Sequence, residues 1–153
     1  MLGHRFLLLE HVGRRTGARR RTVLEVMEYR KQGPEAIVMS AFGRDADWLR
    51  NIEAATGAEV VIGSHKFTAA HRVLDLDEAT GVIAGYEHRY RVAAPIIHAV
   101  LSRLLGWRYD GSDADRRRLA AQLPLVAFRP RHPHPLASRV DLSRWERSAR
   151  SAG

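Results

Sequence analysis

The sequence opens with two apolar segments of strand length that a glycine-bounded turn separates. Residues 4–12, "HRFLLLEHV", contain four consecutive large apolar residues, and residues 20–30, "RRTVLEVMEYR", alternate partly between apolar and polar positions. Both patterns are typical of β-strands. The turn between them contains Gly13 and Gly17, and glycine adopts the backbone angles of tight turns without steric cost. We therefore predict an antiparallel hairpin, which commits the start of the chain to a sheet.

More strand-length segments follow at short intervals. The segment "EAIVMSA" (35–41) comes directly after the turn "KQGP", whose glycine and proline favour a chain reversal. A strand pair is predicted from "AEVVIG" (58–63) and "HKFTAAHRVLDL" (65–76), and "PLVAFRP" (124–130) predicts a final strand. Five or six short strands of this kind are typical of a small barrel that closes on itself.

Helical patterns lie between the strands. Residues 43–57 predict a helix that Asp45 caps and Gly57 ends, with Trp48, Leu49 and Ile52 on one face. Three further helical segments are predicted at 77–91, 94–106 and 113–123. The predicted fold class is therefore α+β, a split β-barrel of about six mostly antiparallel strands with helices inserted between and packed around them. Residues 1–130 form one domain, and residues 131–153 are predicted to be a C-terminal surface tail.

Composition limits the class of protein. The chain has 153 residues, 45% of them hydrophobic and 27% charged, which is typical of one folded domain. The first residues lack the apolar core and cleavage site of a signal peptide, so we expect a cytoplasmic protein without a transmembrane segment. The formal net charge of +8 is compatible with an anionic partner. Because 23 of the 25 basic residues are arginine, a compositional bias accounts for part of this charge, and the positions of the arginines are more informative.

Five arginines lie in and beside the first turn, in "GRRTGARRR" (13–21). Backbone amides at a glycine turn and fork-shaped guanidinium groups are both good ligands for phosphate, so the hairpin is a candidate anion site. Side chains alternate along a strand, so Arg19 and Arg21 are predicted to face one way and Arg20 and Thr22 the other. A solvated turn in an arginine-rich protein is the alternative.

The sequence offers no metal site. It has no cysteine, and its eight histidines do not follow the spacing of metal ligands. His132 and His134 lie among prolines in the predicted tail, while His4 and His11 are an odd number of residues apart and are predicted to lie on opposite faces of one strand.

Several motifs together resemble those of the deazaflavin-dependent nitroreductase family, whose members bind coenzyme F420 on a split β-barrel related to the flavin-binding barrels. The resemblance rests on "LLLEHVGRRTGARRRTVLEV", on "AIVMSAFGRDADWLRNIEAATGAEVVIG" and on "FTAAHRV", in this order, and covers about residues 5–130. The family thus implies that residues 1–130 form a split β-barrel deazaflavin-binding domain.

The resemblance also implies a set of cofactor-binding residues. Arg14, Arg15 and Thr16 would hold the phosphate and the acidic tail of F420, and Arg20 and Thr22 would contribute from the next strand. Arginine forks suit this tail, because it carries a phosphodiester and glutamate carboxylates. The segment that would pass beside the deazaflavin ring consists of Ser40, Ala41, Phe42 and Gly43, and Trp48 and Asn51 would close the same region. Core packing is the alternative role for Trp48.

The chain departs from the family pattern at two places. Relatives often carry a lysine where this chain has Arg15, and an Asn-Pro pair where it has Thr22 and Val23. Many relatives also have an N-terminal helix that covers the site, and we expect none here because the first predicted strand begins at residue 4.

Three tyrosines lie in segments where the family has substrate-side tyrosines: Tyr86, Tyr90 and Tyr109. Each could donate a proton to the reduced product, and structural packing is the alternative role for each. Tyr109, in "GWRYDG", is the predicted catalytic residue because glycines on both sides indicate a loop.

The function predicted from the resemblance is an F420-dependent oxidoreductase, of nitroreductase or quinone-reductase type. It would transfer a hydride from reduced deazaflavin to an unsaturated, quinone-like or nitro-bearing small molecule. The alternatives are an FMN-binding oxidoreductase on the same barrel and, with the arginine cluster as its only support, a nucleic-acid-binding barrel, although the aromatic ladder of such proteins is missing. We predict no nucleic-acid partner. The apolar face of residues 95–105 could pack on the core, on a partner or on lipid, so peripheral membrane association stays open, as does the oligomeric state.

Overall fold

The computed structural model describes residues 3–55 and 57–131. Six strands, all paired antiparallel, close into one barrel in the order β1, β2, β3, β6, β5, β4. They are β1 (Phe6–Val12), β2 (Arg19–Arg30), β3 (Glu35–Met39), β4 (Ala58–Ile62), β5 (His65–Val73) and β6 (Leu125–Pro130). Among these residues, four α-helices lie between strands: α1 (Asp47–Ala54) between β3 and β4, and α2 (Leu76–Arg89), α3 (Ala94–Leu105) and α4 (Asp113–Gln122) between β5 and β6. The predicted α+β split barrel is confirmed.

One core lies inside the barrel. Alternate side chains of β1 point inward, and Leu7 and Leu9 are almost fully buried there. Helix α1 closes one end of the barrel with Trp48, Leu49 and Ile52, the apolar face that the sequence predicts. Burying side chains of this size stabilises the fold by roughly 1.5–3 kcal/mol each. Packing of α1 against the barrel therefore fixes the position of Trp48.

A second core lies outside the barrel, between the outer faces of β3 and β6 and the helices. Ile37, Leu119 and Leu125 are fully buried there. The pairing of β2 with β3 shifts register between Val26 and Glu28, so Met27 lies in a bulge and packs on this outer core. A bulge adds one residue and redirects the side chains that follow it. Strand β2 thus contributes to both cores, as β3 and β6 do.

Helix α2 is tied to the sheet by an ion-pair network. Arg72 on β5 bonds Glu35 on β3 at 2.9 Å and Glu78 in the first turn of α2 at 2.8 Å. Hydrogen bonds from Arg72 and then Arg30 lower the pKa of Glu78 to about 2. The side chain of Asp75 also caps α2 by accepting from the Glu78 amide at 2.8 Å. These contacts fix the helix that carries Tyr86.

Helix α1 begins later than the sequence predicts. Residues Gly43–Asp45 form a separate 3-10 turn, and the cap of α1 is Ala46, without a side-chain cap bond. Asp45 is therefore not the helix cap; its exposed carboxylate lies 3.9 Å from Arg50. The separate turn forms because Gly43 has φ of 76°, and the Ser40 hydroxyl donates to its carbonyl at 2.6 Å. A positive φ cannot continue into a helix.

Other boundaries also differ from the prediction. The predicted strand 65–76 ends at Val73, since Asp75 caps α2, and α2 runs without interruption through both of its glycines. Apart from Arg131, the predicted tail lies outside the described residues, and so do His132 and His134. Among the residues described, no helix has the length and apolarity needed to cross a membrane.

Candidate cofactor site

An apolar cleft of about 460 Å³ lies beside β2, where the two cores meet. Strand β2 forms one wall and α3 the opposite one, with Ile97, Val100, Leu101 and Leu104. Ala41, Phe42 and Trp48 close one end, and Ile83, Tyr86 and Glu87 of α2 close another side. Among the residues that the structure describes, Glu25, Tyr86 and Glu87 are the only ones that bring ionisable groups to the cleft. A flat, largely apolar molecule fits this composition, because apolar clefts with a few polar groups are typical of small-molecule sites.

A polar notch of about 410 Å³ continues from the cleft toward the hairpin. It shares Thr22, Phe42 and Trp48 with the cleft, and it adds a polar wall formed by His11, Arg20, Arg21, Asp45, Ala46 and Asp47. The two spaces are therefore contiguous. Thr22 lies at their junction.

The charges of the notch favour an anion. Arg14 pairs with Asp47 at 3.3 Å, and Arg50 lies 3.9 Å from Asp45, so both carboxylates have a cationic partner. Arg20 forms no ion pair with a described residue. Its Nε packs over the turn, since a Cβ added at Gly13 would lie 3.1 Å from it. The guanidinium of Arg20 is thus available to an anionic ligand.

Arg14 is held by hydrogen bonds to α1, and its predicted contact with the cofactor stays a prediction. Its backbone N–H and its Nη1 both donate to the Asn51 Oδ1, at 3.1 and 2.9 Å, and its side chain is 20% exposed. These bonds join the hairpin to α1. Arg15 and Thr16 are exposed at the tip of the turn and line neither space, so their predicted contact with the cofactor stays a prediction.

A buried hydrogen-bond chain lies behind the notch. Asn51, 2% exposed, contacts the His11 Nδ1 through its Nδ2 at 3.0 Å. The His11 Nε2 in turn lies 3.0 Å from the Thr22 hydroxyl. Burial, and then the nearby Arg20 charge, lower the pKa of His11, and Asp47 opposes this shift. Asn51 therefore lies behind the site and supports it, whereas Thr22 faces the ligand space.

The segment after β3 divides into supporting and lining residues. Ser40 is fully buried, and Gly43 is held close to the Gln122 carbonyl, so both fix the course of the backbone. Ala41 and Phe42 line the cleft, and Phe42 is 81% exposed. An aromatic ring that stays so exposed in a monomer is available to cover a ligand.

The three tyrosines occupy different places. Tyr86 lines the cleft, and its hydroxyl donates to Glu25 at 2.8 Å. The ring of Tyr90 packs on Tyr86 with centroids 4.7 Å apart. Tyr109 is 2% exposed, does not line the cleft, and donates its hydroxyl to Glu87, which does line it. Burial raises the pKa of Tyr86 and of Tyr109.

The geometry therefore gives Tyr109 only an indirect connection to the cleft, through Glu87. Its predicted catalytic role stays a prediction, and Tyr86 is the tyrosine that the structure brings to the ligand space. Sequence reasoning also missed His11, Arg21 and the α3 wall. The alternation of β1 places His11 on the same face as the apolar Leu7 and Leu9, a signal that could have found it.

A sequence model of the F420H2-dependent quinone reductase family matches residues 1–88, more than half of the chain. The chain belongs to this family. Membership confirms the family resemblance and, at the level of the family, an oxidoreductase that uses F420. The matched residues include the hairpin, the segment after β3 and α1, which together form the notch. No curated protein matches the chain.

The chain is similar to several solved structures. Atu2129, a protein of unknown function from Agrobacterium tumefaciens, has a TM-score of 0.54 and 14% identity over 84% of this chain and 49% of its own, so this chain spans about half its length. An F420-H2-dependent reductase, FDR-A, has a TM-score of 0.46 and 16% identity over 84% of this chain and 96% of its own. A pyridoxinephosphate oxidase family protein from Clostridium acetobutylicum has a TM-score of 0.49 and 7% identity over 82% and 75%.

The residues present fit the family's cofactor. The deazaflavin ring is flat and aromatic, which suits the apolar cleft, and the anionic tail suits the notch, where Arg20 has no ion pair with any residue that the structure describes. Because the two spaces are contiguous, one molecule can occupy both.

Proposed function

We propose that the protein is an F420-dependent reductase whose acceptor is a flat, apolar small molecule of the quinone type. Nitro-bearing and other unsaturated molecules of similar shape belong to the same class of acceptor. The observation that carries this proposal is the apolar α3 wall, which faces β2 across a cleft with few polar groups. A highly polar acceptor would lose its hydration there without gaining hydrogen bonds.

Each part of the site has a role in this reaction. The bound cofactor supplies a hydride from C5 of its ring. Trp48, Ala41 and Phe42 hold the ring, while Arg20 and Thr22 bind its polar part, with Arg15 and Thr16 contributing from the turn. The α3 wall excludes water and holds the acceptor within about 3–3.5 Å of the donor carbon, the separation that hydride transfer needs.

The reduced acceptor then needs a proton, and the cleft offers one source directly. Tyr86 lines the cleft, and its hydroxyl already donates to Glu25. We propose that the Tyr86 hydroxyl turns from Glu25 to the acceptor oxygen and transfers its proton there, and that solvent water then reprotonates Tyr86. Tyr109 contributes through Glu87, whose carboxylate it holds in place together with Arg116, at 3.1 Å.

The proposed acceptor class can be tested with a conservative change in the wall. Ile96 lines the cleft and is 69% exposed, so Ile96→Gln removes apolar contact without disturbing the core. We expect the variant to raise the KM for a soluble naphthoquinone about threefold, with F420 affinity unchanged, because roughly 25 cal/mol of binding is lost per Å² of apolar contact. The measurement is the absorbance of reduced F420 during turnover.

The matched control is Leu76→Gln, which changes an exposed leucine at the start of α2, away from the cleft. Its KM should equal that of the parent. A parent protein that leaves reduced F420 unoxidised with quinone, nitroaromatic and enone acceptors alike contradicts the proposal. Oxidation of reduced FMN in place of F420 would favour the alternative cofactor.

We also propose that the protein associates with the surface of anionic membranes through α3. Val92, Ile96, Val100 and Leu104 are all at least 45% exposed, at intervals of four residues. Val92 lies in the 3-10 turn Arg91–Ala93 that leads into α3, and the spacing of Ile96, Val100 and Leu104 puts these three on one face of α3, with Arg103 in its last turn. An apolar stripe with nearby arginine is typical of helices that lie on a membrane surface. Three of the four also line the cleft, which an apolar acceptor could therefore enter from the lipid.

A further inference from the structure

The buried chain behind the notch has only one consistent pattern of donors and acceptors. Arg14 donates to the Asn51 Oδ1 twice, once from the backbone and once from the guanidinium. Neither donor can be reversed, so the orientation of the Asn51 amide is determined by its surroundings. Its Nδ2 must then face the His11 Nδ1, 3.0 Å away.

This orientation determines the tautomer of His11. An amide nitrogen only donates, so the His11 Nδ1 must accept, and the imidazole carries its single proton on Nε2. The Nε2 then donates to the Thr22 hydroxyl oxygen at 3.0 Å. His11 is 5% exposed, so no bulk water competes for these bonds.

The hydroxyl of Thr22 stands at the end of the chain. Because its oxygen accepts from His11, its own proton points elsewhere, and the side chain lines both the cleft and the notch. We propose that His11 is a positioning residue that makes Thr22 an obligate hydrogen-bond donor to an oxygen or nitrogen acceptor of the bound cofactor. This inference rests on the proposed function, since the ligand is the F420 of that site.

The chain requires a neutral His11. A second proton on Nδ1 would face the Asn51 Nδ2, and the amide cannot turn while Arg14 occupies its oxygen. The charged groups around His11 are Arg20 on β2, which disfavours protonation, and Asp47 on α1, which favours it. The pKa of His11 lies below the ordinary value of about 6.5. The chain is therefore intact at neutral pH, and it breaks as the pH falls below the ordinary histidine range.

The test measures the dissociation constant of F420 for the parent and five variants. Thr22→Val removes the hydroxyl and Thr22→Ser keeps it, while His11→Phe removes both ring nitrogens and His11→Gln keeps a donor near the Nε2 position. We expect Thr22→Val and His11→Phe to weaken F420 binding by about three- to tenfold, the scale of one hydrogen bond. Thr22→Ser and His11→Gln should keep most of the affinity of the parent. The double variant His11→Phe/Thr22→Val should lose no more than either single variant, because both remove the same interaction.

The pH profile gives a readout that a merely structural histidine would not change. As the pH falls from 7.5 to 5, the affinity of the parent relative to that of His11→Gln should fall, since only the parent can protonate this position. In the ratio of the parent's affinity to that of His11→Gln, the effects of F420 ionisation and of titrating groups common to both proteins cancel. Thr68→Val, on the exposed side of β5, is the control for loss of a threonine hydroxyl and should bind as the parent does.

Two results of the binding measurements would overturn this inference without affecting the proposed function: a parent that binds F420 no better than Thr22→Val does, or a loss in the double variant that equals the sum of the two single losses. Nitrogen NMR of the protein without cofactor tests the chain independently of F420, and we expect a neutral His11 with its proton on Nε2 at pH 7.5. A proton on Nδ1 would also overturn it. Failure of the parent to bind F420 at all would overturn the proposed function and this inference with it.

Discussion

At the scale of single residues, the difference between the predicted and the observed site lies in what each polar side chain contacts. The sequence places Arg14, Ser40 and Asn51 near the cofactor, and in the structure all three form hydrogen bonds with neighbouring residues of the protein, so their predicted contact with the cofactor stays a prediction. Residue type and spacing place a residue within a site. Residue type and spacing do not show whether a residue contacts the ligand or only holds a neighbouring residue in place. That distinction depends on which buried polar groups need hydrogen-bond partners.

The tyrosines give a prediction at this scale. Tyr86→Phe should slow the oxidation of bound, reduced F420 by a quinone about a hundredfold, the lower end of the range for loss of a general acid, because its hydroxyl faces the cleft. Tyr109→Phe should have a smaller effect, because its hydroxyl reaches the cleft only through Glu87. Stopped-flow absorbance measures both rates. Equal rates in the parent and Tyr86→Phe would show that solvent is the proton source. A greater loss of rate in Tyr109→Phe than in Tyr86→Phe would indicate that Tyr109 is the principal proton donor.

At the scale of elements, all six strands and the helices α2, α3 and α4 follow from the sequence to within three residues at each end, and α1 does not. All six strands follow from apolar runs between glycine and proline turns, and the inward face of β2 follows from alternation. The start of α1 does not, because the turn at Gly43 depends on a contact between Ser40 and a carbonyl. The position of α3 does not follow from the sequence either. The spacing of its apolar residues suits a buried helix as well as a surface helix. Its apolar face stays exposed because α2 and α4 pack on the barrel.

The exposed stripe of α3 gives a prediction at this scale. The parent should sediment with vesicles that contain anionic lipid, and Val92→Glu should reduce the bound fraction at least threefold, because it puts a negative charge at the apolar surface. Val92 is 94% exposed, so the substitution leaves the fold intact. Thr68→Glu makes a comparable change of charge on β5 and serves as the control. Equal sedimentation of the parent and Val92→Glu would show that α3 does not bind the membrane.

At the scale of the whole molecule, the site lies where two cores meet. The closed barrel and the outer helix layer share β2, and the cleft opens beside the bulge at Met27. The arginine hairpin opens onto the notch at one end of this cleft. The family resemblance predicted the barrel and the cofactor, but not that the cleft and the notch share Thr22, Phe42 and Trp48, because that depends on how β2, the segment after β3 and α1 pack together.

The central claim is that one molecule fills both spaces, with its ring in the cleft and its anionic tail in the notch. The most direct measurement compares the dissociation constants of F420 and of the same deazaflavin with its ribityl chain but without phosphate and glutamates. Bonds between charged groups and arginine contribute about 1.5–3 kcal/mol each, so F420 should bind at least tenfold more tightly at low salt. High salt and Arg20→Ala should each reduce the difference in affinity between the two compounds, because salt screening and the loss of the Arg20 charge weaken only the contacts of the anionic tail. Equal affinity of the two compounds, independent of salt, would contradict the account.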